Sequence, residues 1–163
     1  MSDQGKAYAA FIEAELKAER ERRVVYDGRA QAIVTTSAGL VTLLSTVAAL
    51  ARKSSSFVLP TLALWPLLAA LVALVCAAAF GILANWNFRY GAPASATLDR
   101  MIRDHWKDHE VDARNAVAAA QVLSLRTLRL ANSRKASLAT VGLIAQLLAV
   151  LLLGLAVALT VAL

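Results

Sequence analysis

The segment DHWKDHEVD at residues 104–112 places His105 and His109 four residues apart, with Asp112 three further on. On a continuous helix that spacing sets all three side chains on one face. Two imidazoles and a carboxylate are a donor set for zinc or another divalent ion. The metalloprotease pattern HExxH is absent, because Trp106 follows His105. The competing reading is a solvated face on which Arg100 pairs with Asp104 and the acids stay hydrated. Ligand spacing without a second ligand segment carries little weight, so no metal is expected and the trio stands as a weak candidate.

A second group of chemically able residues is Arg126, Arg129, Arg134 and Lys135. Guanidinium groups bind phosphate bidentately, so a phosphate-bearing ligand is one reading. The other is a topology signal in contact with anionic lipid heads. The sequence holds no P-loop, no GxGxxG, no nucleophile elbow and no Ser/His/Asp constellation. No enzyme and no cofactor are expected. Cys76 is the sole cysteine, which excludes an intramolecular disulfide and a cysteine-built metal site.

The third group consists of uncharged polar and small residues within apolar surroundings. Gln31, Thr35, Ala38, Thr42, Ser45 and Ala49 recur at steps of three and four, so they form one seam on a helix. Thr36, Ser37 and Thr46 fall beside it or away from it. Ala73, Ala77 and Gly81 form a second row, which Ala69 continues, and Gly142 with Gln146 forms a third. In lipid, helices associate through close approach at small residues and through interhelical hydrogen bonds. An amide in hydrocarbon needs a partner, whereas Ser and Thr can bond their own i−4 carbonyl. The first seam therefore either packs on a neighbouring helix or lines the axis of an oligomer as a narrow, weakly polar pore. Three helices have few internal faces, so three such seams point to self-association. The absence of intramembrane charge argues against a proton-coupled transporter.

The elements that must carry these groups follow from charge and hydropathy. The chain has 163 residues, 59% of them apolar, with a net charge of +6. No Lys, Arg, Asp or Glu occurs in residues 30–51, 54–88 or 136–163. Each stretch exceeds the ~20 helical residues needed to cross a ~30 Å hydrocarbon core. The expected fold is all-α and integral to the membrane. Residues 1–29 form an amphipathic cytoplasmic helix with a Tyr8, Phe11, Ile12 and Leu16 stripe. Glu13 to Lys17 and Glu19 to Arg23 are at the favourable i, i+4 spacing. Residues 30–51 form the first span, 52–65 a short external loop or interfacial turn, and 66–88 the second span. Pro60 and Pro66 leave the start of that span open, since proline suits a first turn and kinks a helix elsewhere. Trp86, Phe88 and Tyr90 read as an interfacial aromatic belt. Residues 89–135 form a helical cytoplasmic segment. Thr97 is its N-cap, and Leu98, Met101, Ile102 and Trp106 make one apolar face. A second helical run follows at 112–133, and it is able to continue into the last span at 136–163.

Residues 1–29 hold six basic and six acidic residues, and 89–135 hold nine and five, against only Arg52 and Lys53 between the first two spans. The positive-inside rule places the N-terminus and the 89–135 segment in the cytoplasm and the C-terminus outside. Topology accounts for the basic surplus, so a nucleic-acid polymer is not an expected partner. The bilayer and further copies of the chain are.

YDGRAQAIVTTSAGLVTLL resembles the opening of the membrane domain in Pycsar-type transmembrane effectors. That opening is an acidic-x-basic-Ala signature before a small-residue-rich span. Asp27, Arg29 and Ala30 fit it, with Arg29 where Lys is commoner. NSRKASLATVGLIAQLLAVLLLG resembles the same family's step into its last span, and the SLATT membrane domains share a similar layout over about residues 20–160. The resemblance implies a bacterial inner-membrane effector of anti-phage defence. Such an effector would oligomerise and impair the membrane when a nucleotide second messenger arrives. The chain has no stretch for a separate cyclic-nucleotide-binding domain, so sensing is expected of its own helices or of a cytoplasmic sensor protein. The rival expectation is a non-conducting scaffold, such as an accessory protein of plasmid transfer, docking a soluble partner.

Overall fold

The computed structural model describes residues 3–53, 60–88, 91–105 and 107–162. Among these the chain is all-α, with no strand, and forms four helices: α1 Asp3–Lys53, α2 Thr61–Asn85, α3 Ser95–Arg103 and α4 Glu110–Ala162. α1, α2 and α4 are each long and apolar enough to cross a membrane. α1 carries the amphipathic segment and the first charge-free stretch without interruption. α4 likewise continues from the helical run expected at 112–133 through the last charge-free stretch. No proline or glycine pair interrupts either, which removes the usual causes of a break.

The second span lies earlier than the 66–88 expected. α2 begins at Thr61, after Pro60 as N-cap in an extended conformation, and Pro66 sits inside it. Residues 61–65 are thus helix rather than turn; residues 54–59 lie outside the described residues, and Arg52 and Lys53 close α1. Pro66 deprives only the Leu62 carbonyl of its i+4 donor, while the N–H groups of the first turn lack intrahelical partners in any case. The helix ends at Asn85, where Trp86 turns to ψ 144° and its N–H donates to the Leu83 carbonyl. At 25 residues, α2 is about 37 Å long, enough to cross the hydrocarbon core. Trp86 is exposed, and Tyr90 lies outside the described residues.

α3 begins two residues before the expected Thr97 cap. Ala94 takes the extended N-cap conformation, and the Thr97 N–H donates to its carbonyl. Leu98 and Ile102 are exposed and Met101 is half-buried; Trp106 lies outside the described residues.

The chain divides into two compact units: residues 1–25 with 87–134, and residues 26–86 with 135–163. In the second unit, α1 buries Ala30, Ile33 and Ser37. α2 buries Ala70, Ala73, Leu74, Ala77, Gly81 and Ala84, and α4 buries Ala139, Gly142, Ala149 and Ala156. The steps of three and four give the 3.5-residue period of knobs-into-holes packing. Small side chains let the backbones approach. A Cβ on Gly81 would lie 2.8 Å from Val34 Cγ2 and 3.1 Å from the Ala30 carbonyl, and one on Gly142 would lie 3.4 Å from the Ala77 carbonyl. Dispersion between closely approaching helices stabilises such a bundle where lipid offers no hydrophobic gain.

In the first unit, Leu16 of α1 packs with Leu125 and Leu128 of α4. Tyr8 and Phe11, expected on the same stripe as Leu16, are 70% and 65% exposed. The buried positions of α1 step from Leu16 to Glu19, so the stripe is narrower than the apolar pattern and includes a carboxylate.

Candidate functional site

Among the described residues, the first seam is not used in packing within the chain. Gln31, Thr35, Ala38, Thr42, Ser45 and Ala49 are all exposed. The face of α1 that packs on α2 and α4 is offset from it, through Ala30, Ile33 and Ser37, with Leu40, Val41 and Leu44 partly buried. Each seam hydroxyl donates to a carbonyl one turn earlier on its own helix. Thr35 bonds Gln31 at 3.0 Å, Thr42 bonds Ala38 at 2.9 Å and Ser45 bonds Val41 at 2.8 Å. Thr36 and Thr46 do the same. These bonds satisfy the hydroxyl protons in an apolar medium and leave oxygen lone pairs outward. Ser37, which its spacing sets beside the seam or away from it, faces inward. It is fully buried, and its Oγ has no hydrogen-bond partner among the described residues.

The other two rows serve packing within the chain itself. Ala73, Ala77 and Gly81 are buried, with Ala70 rather than the exposed Ala69 continuing the row. Gly142 is buried against Ala77 and Phe80, and Gln146 is half-buried on the same face of α4. Only the α1 seam is therefore surplus to intramolecular packing, not three seams.

At the start of the charge-free stretches, Asp27 pairs with Lys135. The lysine side chain is 3% exposed and the aspartate 34%. Lys135 precedes Ala136 directly, and Asp27 lies three residues before Ala30. Arg29 of the same signature is exposed. The four-residue basic cluster is thereby dispersed. Lys135 is buried in its ion pair, while Arg129 donates to Glu15 and approaches Glu19 at 3.5 Å. Arg126 and Arg134 are exposed. The physical reason is helical geometry. Residues 126, 129, 134 and 135 point in different directions around α4, and two of those directions meet carboxylates of α1.

Those carboxylates belong to a polar layer that the sequence did not disclose. Glu19 is 4% exposed and Asn132 3%. Asn132 Nδ2 donates to both the backbone carbonyl and Oε2 of Glu19 at 2.9 Å. Arg22 donates to Glu19 Oε1 at 2.8 Å. Arg23, at i, i+4 spacing from Glu19, donates to Asn87 Oδ1 at 3.0 Å. Only the partner residues more than a hundred positions away explain this layer. Its one local signal is a Glu on the heptad position that follows Leu16.

The geometry assumed for His105, His109 and Asp112 does not hold. α3 ends at Arg103 and α4 begins at Glu110, so no single helix carries the three. Asp104 caps α3, the Asp108 N–H donates to the His105 carbonyl, and the Asp112 N–H donates to the His109 carbonyl. His105 Nδ1 pairs with Asp108 Oδ2 at 3.0 Å. Among the described residues no three His, Cys, Asp or Glu side chains converge. Arg100 likewise meets Asp104 through its carbonyl as helix acceptor rather than through an ion pair.

No family model, curated protein or solved structure matches the chain.

Proposed function

We propose that the chain is a homo-oligomeric membrane effector that perturbs or permeabilises the bilayer in response to a cytoplasmic signal. One observation carries this reading. α1 presents an uncharged polar stripe, Gln31 to Ser45, on a span whose packing face lies elsewhere. A second copy seated on Ala38 and Thr42 gains the close approach that small residues permit. Repeated around a ring, the outward lone pairs of Thr35, Thr42 and Ser45 form a weakly polar lining suited to a gated pore.

The resemblance around Asp27, Arg29 and Ala30 supports a bacterial inner-membrane setting in anti-phage defence, with a nucleotide second messenger or a sensor protein as the signal. The N-terminus is cytoplasmic and the C-terminus external in this reading, from the bias of Lys and Arg.

The test is release of a trapped dye from liposomes containing the purified oligomer, with and without candidate nucleotides. Leak that depends on the protein supports the reading. A folded oligomer that releases no dye under any condition overturns it.

The second reading is a non-conducting scaffold. The exposed Tyr8 and Phe11 favour it, because aromatic side chains left in water commonly mark a protein-docking surface. A strict monomer by mass measurement in detergent would favour the scaffold over the pore.

A further inference from the structure

Two cavities within the unit of residues 1–25 and 87–134 share Leu16, Arg20, Pro93 and Ser124 as walls, and therefore adjoin. Their volumes are about 350 and 370 Å³. Leu98, Met101 and Val117 supply apolar walls to the first, and Leu128 to the second. Lys17 and Arg20 line the first cavity, and Arg20 and Arg23 the second. These three cations recur every three residues along one edge of α1.

Elsewhere in the unit Arg22 is matched by Glu19, and Arg129 by Glu15 and Glu19. Lys17 and Arg20 make no ion pair among the described residues. Glu13 is the one carboxylate on the first cavity, a turn before Lys17, and no carboxylate lines the second among the described residues. Lys17 and Arg20 thus stand beside apolar walls, where the lower local dielectric strengthens their attraction for an anion. The Gln121 amide adds a polar group on the facing wall, where the Ser124 hydroxyl donates to the Ala120 carbonyl at 3.1 Å.

We infer that this groove binds a phosphate-bearing ligand whose remaining body is planar or apolar. The phosphate sits at Lys17 and Arg20, and the body lies against Met101 and Val117. Arginine supplies the fork that matches phosphate geometry, and lysine a mobile point charge. The cavities have the size range of small-ligand sites. Both a soluble nucleotide and an anionic lipid headgroup satisfy this chemistry. The inference goes beyond the membrane reading and holds whether or not the assembly conducts.

The experiment uses the full chain in phosphatidylcholine nanodiscs. Equilibrium binding of ATP and of inorganic pyrophosphate is measured first. In discs that also contain phosphatidylglycerol, retained anionic lipid is counted by native mass spectrometry. The variant is Lys17→Ala with Arg20→Ala. Both residues are exposed, and retained helicity by circular dichroism checks the fold. Arg126→Ala is the control for loss of an exposed charge elsewhere. The expected result is at least about a tenfold loss of affinity in the double variant, about 1.4 kcal/mol, with the control unchanged. Loss in the ATP or pyrophosphate arm identifies a soluble ligand, and loss confined to retained phosphatidylglycerol identifies a lipid headgroup. Absence of binding in every arm, or equal binding by wild type and double variant, overturns the inference.

Discussion

Lys135 and Asp27 form an ion pair across 108 residues of sequence, with the lysine almost wholly buried and the aspartate one-third exposed. The pair stands where two apolar helical stretches begin. An ammonium withdrawn from water there depends on its partner. Taking either charge into a low-dielectric site costs several kcal/mol, and only a close opposite charge offsets that.

Asp27→Asn is expected to destabilise the protein by about 3 kcal/mol. That is the lower end of the range for breaking a buried pair, since Asp27 keeps partial contact with solvent. The double substitution Asp27→Leu with Lys135→Met is expected to recover most of the loss, because an apolar pair leaves no stranded charge. Reversible unfolding in mixed detergent micelles measures both. A single variant as stable as wild type would contradict the buried-pair account.

Gly81→Ala is expected to cost about 1–3 kcal/mol, as overpacking does in a tight interface. The added Cβ meets Val34 Cγ2 at 2.8 Å and the Ala30 carbonyl at 3.1 Å. Valine is stiff at χ1, and the carbonyl belongs to backbone. Gly154 has nothing within 4 Å of the same atom. Gly154→Ala should therefore be neutral or gain up to about 1 kcal/mol from helix propensity. The same unfolding measurement separates the two, and equal effects would count against close approach at Gly81.

Glu19→Leu removes the acceptor for Asn132 Nδ2 and a partner of Arg22 and Arg129. Leaving a buried amide half-satisfied costs about 1–3 kcal/mol, and more where charge is involved. The expected loss is about 2–4 kcal/mol, seen as faster amide hydrogen exchange around residues 12–22 and 125–133. The nearby exposed Glu21→Leu should stay within about 0.5 kcal/mol of wild type.

How much of this was legible beforehand differs by range of interaction. The three apolar stretches were readable because hydropathy and charge are local properties of the sequence. The start of α2 was not, because Pro60 and Pro66 are both tolerated near a helix N-terminus, and only the capping geometry distinguishes them. The rows at Ala73, Ala77, Gly81 and Gly142 were readable as small-residue spacing. Which of two stripes on α1 faces the bundle was not. Nearly every face of residues 30–49 is apolar or self-bonded, so neither the Ser37 stripe nor the Thr42 stripe stands out. His105 and His109 share a face only if one helix carries both, and spacing alone does not reveal that α3 ends at Arg103 and α4 begins at Glu110. The Glu19–Asn132 and Asp27–Lys135 pairs are contacts of high sequence separation, and no local pattern encodes them.

The claim that the α1 seam faces a second copy of the chain is tested most directly by cysteine cross-linking in the bilayer. Cys76, which is exposed on α2, is first replaced in Cys76→Ala. Thr42→Cys is then compared with Leu43→Cys, its exposed neighbour on a different face of the helix. Mild oxidation in liposomes is expected to give a covalent dimer from Thr42→Cys and little from Leu43→Cys. A monomer at Thr42→Cys, with the folded protein present and the oxidant active, would contradict self-association through this seam.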